Sequence, residues 1–255
     1  MLNPFIHTTT TNIKYALLNN SDYISSEILN NGEFDKINLD WSSWILANSL
    51  PGLVLDIGAN IGSYVVPLAN TYDKFTFHAF EVQRIVHLQL CANIFINGLD
   101  NVYPHHTAVS NETKKEFVHT LDINCTNVGG CSISDTTRAL RGDSSSVYTR
   151  RELTAFTTVD SFDFNDVRLI KIDVEGMERE VIEGATNTIF RNSHPPILFE
   201  AWSGEWFRAE YQKIFQLLTM LQYNYIVRIQ DDDFIAFRDQ AQADFYKVNA
   251  RLAQR

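Results

Sequence analysis

A short apolar run that ends in an acid and then breaks into glycines, Leu53-Val-Leu-Asp-Ile-Gly-Ala-Asn-Ile-Gly62, restricts this chain to few folds. Leu53 to Leu55 read as a strand in the middle of a parallel sheet. Asp56 would reach the sheet's carboxyl edge, where open α/β sheets bind ligands. Gly58 and Gly62 allow a tight turn and a close approach to a ligand. A dinucleotide fingerprint starting at Gly58 needs glycine at 60 and 63, where the chain has Asn60 and Ser63. With no Lys-Ser or Lys-Thr pair to grip phosphate, the turn suits a nucleoside without pyrophosphate, most commonly S-adenosylmethionine. Phe75 to Glu81 read as the next strand, and Glu81 closes it 25 positions after Asp56. One carboxylate there can accept both ribose hydroxyls. A helix cap or a solvated strand end is the plainer reading of either acid alone.

With these segments in view, the chain resembles the FkbM-family S-adenosylmethionine-dependent methyltransferases. The matching residues are Leu53 to Gly62, Ala79-Phe-Glu81, Thr107-Ala-Val-Ser110, Leu169-Ile-Lys-Ile-Asp-Val-Glu-Gly176 and Ile197-Leu-Phe-Glu200. Glu178 and Gly184-Ala185 extend the most specific of them. The resemblance spans roughly residues 33–238. Val82 departs from it, since the family usually has proline there, and this should alter a turn rather than the chemistry. The stretch 117–160 matches poorly, so nothing about an acceptor carries over from it. The resemblance implies a Rossmann-like class I methyltransferase fold, with a mostly parallel sheet and a C-terminal antiparallel hairpin. The cofactor-binding set it implies is Asp56, Gly58, Ala59, Asn60, Gly62, Glu81 and Ala108.

The rest of the chain fits an α/β domain. Its 255 residues allow one sizeable core, and no Pro/Gly/Ser-rich linker divides them. Residues 1–50 read as a helical lead-in or lid, ending in an amphipathic helix over Leu39 to Leu50 that stops at Pro51-Gly52. Residues 51–255 would form the methyltransferase domain. Helices are expected at 61–70 and 83–97, the second burying Ile85, Leu88, Ala92 and Phe95 and stopping at Gly98. The third, fourth and fifth strands are expected at Asn101 to Ala108, Leu169 to Asp173 and Pro196 to Glu200. Met177, Val181, Ile182 and Ala185 mark one later helix, and Tyr211, Ile214, Phe215 and Leu218 another. Tyr223–Gln230 and Phe234–Arg238 read as a hairpin turned at Asp231-Asp232-Asp233. Alternating strands and helices imply right-handed parallel crossovers.

A net charge of −10 opposes a nucleic-acid partner, which would call for clustered Lys and Arg. Met1 to Asn12 carry no signal-peptide pattern and no run reaches membrane-spanning length, so no membrane partner is expected. Cys91, Cys125 and Cys131 lack zinc or redox spacing, which favours a reduced, cytoplasmic setting.

Methyl transfer to an alcohol oxygen needs alignment, exclusion of water and a proton acceptor, either a base or a metal-acidified hydroxyl. Asp173 and Glu200 end adjacent strands and are the leading catalytic candidates; Glu175, in the turn after Asp173, is the third. Two such acids could also bind a divalent cation. Glu175 and Glu178 would equally serve as first-turn acids facing a helix dipole. Lys171 alternates onto the Asp173 side and would need an acidic partner. His105 and His106 fall on the wrong side and read as ordinary packing, and Arg141-Gly-Asp143 is a near-chance match to an adhesion motif. The long segment 117–160, with Gly129-Gly130, Ser144 to Ser146 and Arg150-Arg151, suits a specificity loop or lid. Trp202, Trp206 and Phe207 would stand beside Glu200, to stack on a sugar ring or simply to fill core. The reading is O-methylation of a sugar hydroxyl in a glycan or glycoconjugate. Alternatives are a natural-product or lipid hydroxyl, RNA ribose, or a non-catalytic nucleoside-binding module.

Overall fold

The structure, a computed structural model, describes residues 4–18, 22–120, 129–143 and 150–245. In chain order its elements are β1 (Pro4–Thr8), β2 (Lys14–Leu18), α1 (Tyr23–Asn31), α2 (Lys36–Ala47), β3 (Leu53–Ile57), α3 (Val65–Thr71), β4 (Thr76–Glu81), α4 (Arg84–Ile96), β5 (Val102–His106) and β6 (Ala108–Val109). They continue with β7 (Lys114–Thr120), α5 (Asp135–Arg141), β8 (Arg150–Thr157), β9 (Val167–Ile172), α6 (Glu178–Glu183), α7 (Thr186–Arg191), β10 (Ile197–Glu200), α8 (Arg208–Met220), β11 (Tyr225–Gln230) and β12 (Asp233–Phe237).

Seven strands form the central sheet in the order β11-β12-β10-β9-β3-β4-β5. The five from β10 to β5 run parallel, and the β11–β12 hairpin adds antiparallel strands beside β10. Side chains alternate across each strand. On β3, Val54 joins a core under α2, α3 and α4, while Leu55 and Ile57 join a second core under α6, α7 and α8. A sheet buried on both faces is why its strands read as continuous apolar runs.

Three expectations need correction. The first 50 residues hold the β1–β2 hairpin as well as two helices; Tyr15 and Leu17, buried at alternate positions, carry the strand period. On α4 the inward face is Val86, Leu90, Asn93 and Ile94, whereas Leu88 and Phe95 are exposed. The polar Asn93 fixes that choice, because its side chain bonds the Ile61 carbonyl at 2.7 Å and the Ala16 amide at 2.7 Å. Segment 117–160 is more than a loop. β7 pairs antiparallel with β8, and β8 parallel with β6, in a three-stranded side sheet, with α5 between β7 and β8. Cys125 and Ser144 to Ser146 lie outside the described residues.

Candidate active site

The Gly58–Asn60 turn is shaped by how closely two strand ends approach. Gly58 has φ of +88°, and a Cβ there would come within 1.7 Å of the Asp173 carbonyl oxygen. Glycine is therefore required by the neighbouring strand end, and not only by a ligand. The Asp173 amide in turn donates to the Ile57 carbonyl at 2.9 Å. Asn60 adopts φ of +51°, its Oδ1 accepting from the Ile61 amide at 2.7 Å. Gly58, Ala59, Asn60, Glu81 and Ala108 all line one cavity of about 580 Å³, a size suited to a small ligand.

Two expected binding residues do not line it. Gly62, at φ of +88°, packs against Leu90 and Val66, so it serves the seating of α4. Asp56 is fully buried, and neither carboxylate oxygen has a hydrogen bond. Its register partner on β9 is Lys171, whose Nζ lies 3.5 Å from Asp56 Oδ1. Burial pushes the Asp56 carboxyl up to about 6. The acid that marks the motif thus works beneath the site.

Lys171 joins the two halves of the cavity. Its Nζ donates to the Gly58 carbonyl at 3.2 Å and to Asp173 Oδ2 at 3.0 Å, with the Tyr64 ring centroid 5.6 Å away. Burial pulls the ammonium pKa down, but Asp173 and Asp56 outweigh it and hold it above the ordinary value. Glu81 Oε2 accepts from the Asn60 amide at 3.0 Å, and Oε1 from the Gln83 amide at 2.6 Å. Burial raises its pKa to about 7.

The three catalytic candidates come together. One carboxylate oxygen from each of Asp173, Glu175 and Glu200 lies within 4.8 Å of the others, in a geometry that could hold a cation. Burial first, then the neighbouring carboxylates, raise the pKa values of Glu175 and Glu200. Glu178 holds the turn before α6: Oε1 accepts from the Val174 and Gly176 amides at 3.1 and 3.0 Å, fixing the turn that carries Glu175.

Two acids missed in the sequence complete the wall. Asp35 Oδ1 and Asp233 Oδ2 both accept from Gln230 Nε2, at 2.8 and 2.9 Å. Both side chains line the cavity, from positions about 200 residues apart in the sequence. The Asp231-Asp232-Asp233 turn was visible only as a hairpin signal. Trp202, Trp206 and Phe207 pack on one another with centroids 5.0–5.4 Å apart, away from the cavity lining. Its aromatic residues are instead Tyr23, Phe34, Tyr64 and Phe80. His105 stacks on Phe80 and His106 on His87, also outside the lining.

The cradle fits an adenosyl group on two counts. Gly58, Ala59 and Asn60 line the cavity with no bulky side chain at Gly58 or Ala59, and each Glu81 oxygen keeps a second lone pair beyond the one its backbone amide uses, so the carboxylate can still accept from two hydroxyls. Among the described residues no helix is long and apolar enough to cross a membrane.

The chain is similar to several solved structures at low identity. The FkbM structure from Methylobacillus flagellatus is 17% identical with a TM-score of 0.49, over 73% of this chain and 44% of that one. A SAM-dependent methyltransferase from Aquifex aeolicus is 14% identical with a TM-score of 0.44, over 83% and 95%. The M. jannaschii TYW2 structure in complex with AdoMet is 12% identical with a TM-score of 0.47, over 92% and 84%. This chain thus spans less than half the length of the FkbM protein it matches. No curated protein matches the sequence. The family model described as the methyltransferase FkbM domain matches residues 56–227, about two thirds of the chain, so the chain belongs to the FkbM family of S-adenosylmethionine-dependent methyltransferases.

Proposed function

We propose that this chain O-methylates a hydroxyl of a sugar in a glycan or glycoconjugate, with Asp173 accepting the hydroxyl proton. The observation that carries the reading is the position of Asp173. It lines the cavity beside the Gly58 turn, with one oxygen paired to Lys171. A carboxylate held in this way keeps its other oxygen available to an acceptor O–H. When bound, S-adenosylmethionine supplies the methyl group on a sulfonium leaving group. Gly58, Ala59, Asn60, Glu81 and Ala108 would hold it. Lys171 fixes Asp173 relative to that turn, which serves alignment. Glu200 and Glu175 shape the acidic floor next to Asp173.

Tyr23 and Phe34, edge to face at 6.0 Å, offer apolar faces at the cavity for a sugar ring. Eight carboxylates line the cavity against Lys36 and Lys171, and both lysines are paired with acids. Such a wall suits a neutral acceptor and opposes a phosphate backbone. The setting we infer is the cytoplasm.

A second version of the chemistry has one observation in its favour. Asp173, Glu175 and Glu200 are spaced to hold a divalent cation, which would acidify the hydroxyl in place of a plain base. Transfer of labelled methyl to a panel of neutral glycans, with and without chelator, tests both versions. Transfer unaffected by chelator supports the base, and loss restored by Mg²⁺ or Mn²⁺ supports the metal. The rate should change less than about threefold between low and moderate salt. Efficient methylation of RNA that collapses over the same range would overturn the glycan reading.

A further inference from the structure

The helix inserted between β7 and β8 grips the acidic turn at two consecutive residues. Ser134 caps α5 by accepting from the Thr137 amide at 3.2 Å, and Gly142, at φ of +74°, ends it. Thr137 sits against Gly176, where a Cβ would come within 2.5 Å of its methyl, and its hydroxyl donates to the Gly176 carbonyl at 3.3 Å. One turn later, Arg141 Nη1 donates to Glu175 Oε2 at 3.1 Å. Its Nη2 donates to the Gly130 carbonyl at 2.8 Å. Asp143 takes the guanidinium from the side, Oδ1 from Nε at 2.7 Å and Oδ2 from Nη2 at 2.6 Å. The Trp202 ring lies beneath it at 5.4 Å.

The Gly130 carbonyl belongs to a wall of the cavity. Gly129, Gly130 and Cys131 line it, and Gly129 is so close to the cofactor turn that a Cβ would meet Asn60 Nδ2 at 2.8 Å. A planar fork of donors can serve a carboxylate and a carbonyl at fixed angles, which a single ammonium cannot. The Arg141-Gly-Asp143 match therefore has a local structural use: an arginine, a helix stop and the acid that orients the arginine.

We propose that Arg141 is a positioning residue, a clasp that fastens the Gly129–Cys131 wall to Glu175 and so holds that wall against the S-adenosylmethionine turn. Glu175 is then the anchor of the clasp as well as part of the acidic floor. The inference rests on placing the cofactor in this cavity and needs no knowledge of the acceptor.

Calorimetric titration of the full chain with S-adenosylmethionine reads it directly. Arg141→Met keeps an apolar stem on Trp202 but removes every donor, and should weaken binding about tenfold, within the range of site-to-site couplings. Glu175→Ala should do the same through loss of the anchor. The double variant should lie within about threefold of either single one, because both break one contact. Arg141→Lys should stay weak. Should Glu175→Ala melt without cooperativity, Glu175→Leu, which also lacks an acceptor for Arg141, takes its place in the cycle with the same expected non-additivity. Wild-type affinity in Arg141→Met would show that the residue only packs, and losses that multiply in the double variant would separate Arg141 from Glu175. Either result overturns the clasp. Wild-type protein that binds no cofactor would instead sink the placement of S-adenosylmethionine itself.

Discussion

Replacing Lys171 by methionine tests the buried charge pair on which the site stands. Asp56 has no exposed surface and no hydrogen bond, and among the described groups Lys171 is the cation paired with it. The lysine side chain is 8% exposed. Removing one partner of such a pair leaves an uncompensated buried charge and costs about 3–5 kcal/mol. The same change frees the Gly58 carbonyl and Asp173 of a shared donor, so the upper half of that range is expected. For a chain of this size each kcal/mol moves Tm by about 2–4 °C, which puts the loss at about 10 °C or more. The double variant Asp56→Asn/Lys171→Met removes both charges and should recover at least half of it, while cofactor affinity stays reduced because the Gly58 and Asp173 contacts remain lost. Thermal melts and urea titrations of the wild type and these two variants decide the matter. A Lys171→Met loss below about 1 kcal/mol, or a double variant no more stable than the single, would refute the account.

Glu81→Ala should weaken S-adenosylmethionine binding by about 1.5–3 kcal/mol, the range of a hydrogen bond to a charged group; unchanged affinity in calorimetry would remove the ribose assignment. Asp173→Asn should leave cofactor binding near wild type while methyl transfer to the best glycan of the panel falls about 10²–10⁴-fold; a loss of binding at constant turnover per bound cofactor would reverse the assignment. Burial raises Asp56 and Asp233 to about 6 and Glu81 and Glu178 to about 7, above their unfolded values, so the folded chain binds extra protons and stability should rise as pH falls from 8 to about 6.5. Below 6.5, His78 and His87, lowered to about 4 by burial, take protons first in the unfolded chain and oppose further gain; a Tm that climbs steadily from pH 6.5 to pH 8.5 would contradict this. A uronate-bearing glycan should react at least about tenfold more slowly than its neutral counterpart, because its carboxylate faces an acid-lined wall; equal rates would place the acceptor elsewhere.

The meeting of Gly58, Ala59, Asn60 and Glu81 at one cavity edge was legible because these residues are close in sequence. Gly58, Ala59 and Asn60 follow one strand and Glu81 ends the next, so strand period and spacing together placed them at one sheet edge. Asp56 misled for a reason of register: position 56 points to the α3 side of the sheet, directly opposite Lys171, and one more residue is needed before the chain reaches the cavity. The α4 stripe misled because that helix is apolar on more than one side, and a buried asparagine, which pattern reading counts as polar, selects the inward face. The acidic side was legible only in part: Asp173, Glu175 and Glu200 follow strand ends and do meet, but the rest did not show. Asp35 comes from a helix start, Asp233 from the hairpin, and Gly130 from an inserted segment, and nothing local in the sequence says that they meet.

That division follows from what each half must do. A ligand seated against one glycine turn and a strand-end acid needs residues on that turn and its neighbour, so its signature is local and periodic. An acceptor wall needs groups that face the reacting end from several directions, and a parallel sheet can supply them only from different crossovers. Here the groups come from the α2 start, the ends of β3, β9 and β10, the hairpin and the α5 insertion, and three polar ties connect them: Gln230 between Asp35 and Asp233, Lys171 between Gly58 and Asp173, Arg141 between Gly130 and Glu175. Each tie joins groups from different stretches of chain with one multidonor side chain. Changing Lys171 or Arg141 should therefore disturb the cofactor side together with the acidic wall, whereas Gln230 ties only Asp35 to Asp233, which makes it the place where acceptor preference can shift while the Gly58 turn stays intact.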